Sequence, residues 1–187
     1  MLNKKTTFQR AHGKIDVKIN NDEINRFYQS GSAKVFYPKS SQKFKELVLV
    51  NTAGGITSGD NFTYDFEIVN KSKIFLTTQT AERAYKGFNE KAKIKISLTV
   101  DDTSNLFWIP QELILFNNCN FDRNIDVNLS PNSNFVLAET TIFGRIAMGE
   151  YLEKGYFNDN WRIKVNKNLI HAEALHLNGN IRETLSN

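Results

Sequence analysis

An all-β fold of mainly antiparallel sheets, with few short helices, is what this sequence predicts. Three features carry the prediction. Apolar and polar residues alternate with period two in many short runs, polar turns separate those runs, and no long stretch holds the 3.6-residue period of an amphipathic helix. Alternation gives each strand one buried and one wet face, which suits antiparallel sheets.

Residues 15–19 alternate and end in the turn Asn20-Asn21-Asp22. Residues 33–37 form the next candidate strand, stopped by Pro38. The apolar run 47–50 leads into a glycine-rich loop. Residues 62–68 alternate, turn at Asn70-Lys71-Ser72, and are followed by the β-branched and aromatic run 73–78. Residues 94–100 alternate before Asp101-Asp102, and 106–109 stop at Pro110. Residues 125–129 alternate up to Ser130-Pro131-Asn132, and 135–138 and 162–165 complete the set. Helical candidates are slight. Residues 21–28 make at most a short helical turn, and 81–85 are good helix formers in too short a run to stand alone. No linker and no convincing internal repeat stand out.

Composition narrows the function classes. The 187 residues fit one domain, and 40% hydrophobic residues supply a core. The net charge of +4 is dispersed, unlike a nucleic-acid footprint. Lys91, Lys93 and Lys95 alternate with apolar residues and read as the wet face of a strand. Cys119 is the only cysteine, so no internal disulfide forms, which favours a reducing compartment. No signal-peptide run follows Met1, and nothing approaches the ~18 apolar residues of a membrane helix. A soluble, cytoplasmic protein with no membrane or nucleic-acid partner is expected.

Four segments concentrate chemistry. In the first, Gly54, Gly55 and Gly59 shape a loop that ends in Asp60. It lacks the Lys-Ser/Thr end of a phosphate-binding loop. It reads as a tight connection in which Asp60 caps backbone amides, or as a built surface. In the second, Thr77-Thr78-Gln79-Thr80-Ala81-Glu82-Arg83 follows a strand and reads as a strand cap with an exposed ion pair, or as a site lining. In the third, Gln111 and Glu112 interrupt the apolar run 108–116. A half-buried Glu112 needs a partner, so it meets a core arginine or faces a wet cavity. In the fourth, Arg145 sits between Gly144 and Gly149 with Glu139 and Glu150 near, and could fork to Glu112, Glu139 or Glu150 as a buried pair.

The histidines His12, His171 and His176 lack catalytic or metal spacing. His171, Glu173 and His176 are weak metal candidates, because a strand puts 171 and 173 on one face and 176 on the other. Cys119 has no activating base nearby. No nucleophile–base pair emerges, which favours binding or scaffolding over catalysis.

Taken together, the segments resemble the urease accessory protein UreD (UreH) family. The matching pieces stand in order: Asn51-Thr52-Ala53-Gly54-Gly55 to Gly59-Asp60; Thr77-Thr78-Gln79-Thr80-Ala81-Glu82-Arg83; Trp108-Ile109-Pro110-Gln111-Glu112-Leu113-Ile114-Leu115-Phe116; and Phe143-Gly144-Arg145 through Met148-Gly149-Glu150. Phe8-Gln9-Arg10-Ala11-His12-Gly13 and Arg26-Phe27-Tyr28-Gln29-Ser30-Gly31 resemble the family's opening strands. Ser58 stands where the family often has glycine. Family members usually continue well past the segment resembling Asn178-Gly179-Asn180-Ile181, so the resemblance implies one β-rich domain over 1–187 without the usual C-terminal extension.

The resemblance further implies a non-enzymatic scaffold for nickel insertion into urease. Its partners would be the urease apoprotein, UreF, and UreG through UreF. No cofactor would be tightly bound, and Ni²⁺ would pass transiently. Asp60, Glu82, Gln111, Glu112, Glu139, Arg145 and Glu150 become candidate nickel-route or partner-interface residues. Two other readings stay open: a carboxylate-based hydrolase or transferase using Glu112, Glu139 and Glu150, and a generic β-sandwich binding module.

Overall fold

The computed structural model describes residues 9–39 and 43–186. Phe8, at the head of one of the segments above, lies outside them. The strands run β1 (His12–Asn20), β2 (Glu23–Gly31), β3 (Ala33–Phe36), β4 (Lys45–Asn51) and β5 (Asn61–Val69). They continue with β6 (Lys73–Thr78), β7 (Glu82–Ala84), β8 (Ala92–Val100), β9 (Asn105–Trp108) and β10 (Leu113–Leu115). Then come β11 (Asn120–Leu129), β12 (Asn134–Leu137), β13 (Thr141–Phe143), β14 (Lys154–Val165) and β15 (Asn168–Asn180). A 3-10 turn spans Ile146–Met148, and the short helix α1 (Ile181–Ser186) follows β15.

The strands form three sheets. The largest has the order β15-β14-β11-β8-β5-β1-β2, the second β12-β9-β6-β4-β3, and the third β13-β10-β7. The chain visits them in rotation: β5, β6, β7, then β8, β9, β10, then β11, β12, β13, then β14. Each trip is one coil of a three-sided solenoid. An earlier coil runs from β1, after the excursion through β2 and β3, to β4 and then Ile56, whose single parallel bridge to Ala84 extends the third sheet.

Strand direction corrects the antiparallel expectation. Neighbours from β1 through β14 in the largest sheet are parallel, and only its edge pairs β1–β2 and β14–β15 are antiparallel. The third sheet is wholly parallel, and the second is antiparallel only at β3–β4. Parallel neighbours need a long return connection. Here the other two sheets supply it, so no helix covers the outer faces and the wet-dry alternation survives. The internal repeat missing from the sequence is therefore present as successive coils. Asn61, Lys93, Asp122 and Asn158 share one row, at unequal intervals along the chain and with unlike side chains.

Both helical expectations also give way to strand. Residues 23–31 form β2, entered through a turn with Asn21 at φ 52° and Asp22 at φ 60°. Two successive positive φ values suit a tight hairpin, and Asn and Asp tolerate them. Residues 82–84 form β7, where pairing with β10 outweighs helix propensity. No helix among the described residues is long and apolar enough to cross a membrane.

Inward residues stack in rows. Val17, Phe66, Leu98, Val127 and Ile163 form one, and Leu47, Leu76, Trp108 and Leu137 another. Ile56, Ala84, Leu115 and Phe143 form a third, and the rows meet in one apolar core. Leu98→Ala removes a fully buried side chain from the middle of β8, so urea denaturation should show a loss of about 2–5 kcal/mol. Lys95→Ala, on the outer face of the same strand, should change stability by no more than about 0.5 kcal/mol.

Candidate functional site

The four chemistry-bearing segments follow β4, β6, β9 and β12, successive rungs of the second sheet. They consequently form the same corner of four consecutive coils. Backbone hydrogen bonds stack them: Gln79 N–H donates to Leu49 O at 2.8 Å, Ile109 N–H to Leu76 O at 3.0 Å, and Ala138 N–H to Trp108 O at 3.1 Å. On the far side of the corner, Ile56 N–H donates to Arg83 O, Glu82 N–H to Glu112 O, and Leu113 N–H to Thr140 O. Segments distant in sequence thus build one continuous ledge.

The glycine loop begins the ledge. Gly54 and Gly59 have φ of 79° and 80°. Gly55 has φ 151°, and a Cβ there would stand 2.3 Å from Cε2 of Tyr85, so only glycine fits. Asp60 is buried, and its two carboxylate oxygens accept the Ala11 and Thr57 N–H groups, each at 2.8 Å. The capping reading of Asp60 thus matches the geometry, and Asp60 lies outside the cavity lining described next. Buried Ser58 uses its hydroxyl to accept Phe88 N–H at 2.6 Å.

Behind the corner lies a cavity of about 90 Å³, room for a few water molecules. Glu82, Gln111 and Glu139 line it, with Asn51, Tyr64 and Arg123. Glu82 sits at an inward position of β7, in register with Leu113 and, one coil on, Thr141. Asn51 Nδ2 lies 3.3 and 3.2 Å from its two oxygens, and Arg83 N–H donates to Oε1 at 3.1 Å. Burial raises the Glu82 carboxyl above the ordinary carboxylate range, against the pull of these donors. Burial, with the Glu82 charge behind it, also pushes the Tyr64 phenol upward. The expected exposed ion pair at this segment is absent among the described residues, because the parity that turns Ala84 inward turns Glu82 inward too.

Arg123 is the functional residue that sequence reasoning missed. It forks to Asp159, Nε to Oδ1 at 2.9 Å and Nη2 to Oδ2 at 2.6 Å, and Nη2 also donates to Glu139 Oε2 at 2.5 Å. The three side chains are 8%, 9% and 5% exposed. Trp108 Nε1 donates to Glu139 at 2.6 Å and Trp161 Nε1 to Asp159 at 3.1 Å. Burial works against the Arg123 charge, yet the two carboxylates outweigh it and hold the guanidinium above its usual range. The signal lay in strand parity, for Arg123 falls in step with Phe121, Ile125 and Val127, all of which are buried.

Other expectations are corrected. Glu112 does not line the cavity, and no ion pair or hydrogen bond of its carboxylate is found among the described residues. Leu113 takes the inward position, so its neighbour faces the other way. The core arginine exists, but Glu139 meets it. Arg145 pairs with Glu150 on the surface rather than in the core, both Nε and Nη2 reaching Oε2. The Asn117 N–H and the Arg145 guanidinium hold the Glu150 carboxyl below its ordinary range. Of Glu112, Glu139 and Glu150, only Glu139 reaches the cavity, so the three do not share a pocket.

His171 and Glu173 share a face of β15, 3.9 Å apart, while His176 turns to Asn158. No metal-holding cluster occurs among the described residues. Cys119 is buried, and burial pushes its thiol up to about 11, which suits an unreactive core residue.

Replacing Arg123 with Met strands two buried carboxylates, so urea denaturation should show a loss of about 3–5 kcal/mol. Asp60→Ala removes two backbone caps, and the same measurement should show a loss of about 1–3 kcal/mol.

Comparison with known proteins bears on this ledge. The family model described as UreD urease accessory protein matches residues 9–187. The chain is 39% identical to the urease accessory protein UreD of Rhodopseudomonas palustris (strain BisB5), over 92% of this chain and 62% of that protein. It is 37% identical to UreD of Mesorhizobium japonicum, over 87% of this chain and 58% of the relative, and 36% identical to UreD 1 of Brucella anthropi, over 92% and 64%. The chain therefore spans about three-fifths of the length of these curated relatives. With its glycine loop, cavity-lining Glu82 and Gln111, and Gly-Arg turn stacked at one corner, the chain belongs to the UreD family of urease accessory proteins.

Proposed function

We propose that this chain is a cytoplasmic, non-catalytic scaffold of urease maturation. In this reading it binds the urease apoprotein and UreF, engages UreG through UreF, and assists delivery of Ni²⁺ to the urease centre. The supporting observation is the cavity behind the motif-bearing corner, with Glu82 and Glu139 in its wall, in a chain of the UreD family. Ni²⁺ is cargo here, and carboxylate oxygens suit cargo, because they hold a divalent ion without the tight grip of thiolates. A conduit works only if each site releases what it binds.

The acids divide the work. Glu139 is committed to Arg123 and Trp108, so its charge is largely spent. Glu82 faces only neutral donors and offers the cavity an uncompensated carboxylate. Asp60, Arg145 and Glu150 hold the ledge in shape and belong to partner docking rather than to the route.

Thr80 is exposed at the cavity rim, so Thr80→Trp fills the opening without disturbing the core. In cells making urease with its accessory proteins, this variant should still be pulled down with UreF and urease apoprotein, while nickel per urease falls severalfold. Thr99→Trp, on the outer face of β8, should leave nickel content unchanged. Full nickel loading with Thr80→Trp would overturn the passage.

A further inference from the structure

The cavity and the glycine loop are mechanically joined through one side chain. Asn51 closes the loop from within: its Oδ1 accepts Ala53 N–H at 3.0 Å, and its Nδ2 donates to Gly55 O at 3.1 Å. The same Nδ2 reaches both oxygens of Glu82. Gly54, between the two tethered residues, lines the cavity and is exposed to solvent. A change at Glu82 therefore has a direct path to the rim.

We propose that Glu82 and Asn51 form a carboxyl-operated latch, closed when Glu82 is ionised and released when it is neutralised. The argument is donor and acceptor accounting. Both Glu82 oxygens face donors, Asn51 Nδ2 and the Arg83 N–H. A protonated carboxyl puts an O–H against Asn51 Nδ2, donor to donor. The acceptor within reach is Asn51 Oδ1, which becomes available only if the amide turns over. Turning it removes the acceptor from Ala53 N–H and the donor from Gly55 O. The loop then loses both side-chain tethers at once. A cation that binds Glu82 from the cavity draws off the same two oxygens and has the same effect.

The surroundings favour a switch. Tyr64 of β5 lines the same cavity, and its hydroxyl has no hydrogen-bond partner among the described residues. Asp60 from the loop opposes a negative Glu82, and the neighbouring Arg83 supports it. Arg123 and Glu139 also line the cavity, but they are engaged with each other, with Asp159 and with Trp108. From the adjoining coils, register places Leu113 and Thr141, both uncharged. Burial raises the Glu82 carboxyl, so the latch is closed at high pH and releases as pH falls through that raised value. As a control on cargo entry, the latch rests on the passage reading given above; as a motion of the loop it does not.

The test is an NMR titration of the full chain from about pH 8 to about pH 5. The Asn51 side-chain amide and the Ala53 backbone amide should shift together, with one midpoint above that of an ordinary glutamate. Exchange protection of Ala53 should fall about tenfold on the acid side, while Ile56, held by Arg83 O, keeps its protection. Glu82→Gln, which carries a donor at every pH, should show the acid-side spectrum throughout, with unchanged protection in β8. Shifts that are absent, that persist in Glu82→Gln, or that come with lost protection at Ile56 would overturn the latch. A normal titration beside full nickel loading in Thr80→Trp would overturn the passage and leave the latch standing.

Discussion

Parallel stacking of the coils is the constraint on which this structure depends. Each rung takes its height and register from the rung before it, through backbone hydrogen bonds that do not consult side chains. Coils of unequal length and unlike sequence therefore align their corners. The gathering of the glycine loop, the Thr-Thr-Gln segment, the Pro-Gln-Glu segment and the Gly-Arg turn is a result of that alignment. None of these segments needs a direct side-chain contact with the next to share a surface with it.

Within this frame one charged cluster ties the later coils together. Arg123 comes from β11, Asp159 from β14, and Glu139 from the corner after β12. A buried ion pair is weak evidence for net stability, because desolvation offsets much of the attraction. Its value here lies in orientation. The guanidinium fork and the two indole N–H groups consume most of the acceptor capacity of Asp159 and Glu139. The cavity wall is left with a neutralised side, at Arg123 and Glu139, and a responsive side, at Glu82 and Tyr64. That division separates holding the shape from answering a ligand.

How legible was this in the sequence? Strand positions were, because an inward face and an outward face exist in any sheet with one side in a core. Strand direction was not, since residues 94–100 alternate identically whichever way their neighbours run. β2 resisted reading because it is an edge strand, exposed along most of its length, and carries little burial pattern to reveal. The Asp60 cap was legible from loop chemistry alone. The partner of Glu139 was visible only as a parity anomaly, a charge at the step of Phe121 and Ile125. Glu112 misled because a carboxylate inside an apolar run suggests burial, whereas its strand turns that one position outward.

The two indole donors have a practical consequence. Both tryptophans of the chain, Trp108 and Trp161, end on the carboxylates that grip Arg123. Intrinsic fluorescence is thus a report from a single address, blind to the coil that begins at β1. Solenoids are held by nearest-neighbour interfaces and can open piecemeal. An emission change that parted company with the far-ultraviolet circular dichroism signal would date the opening of the charged cluster separately from the loss of the remaining strands, with no label added to the protein.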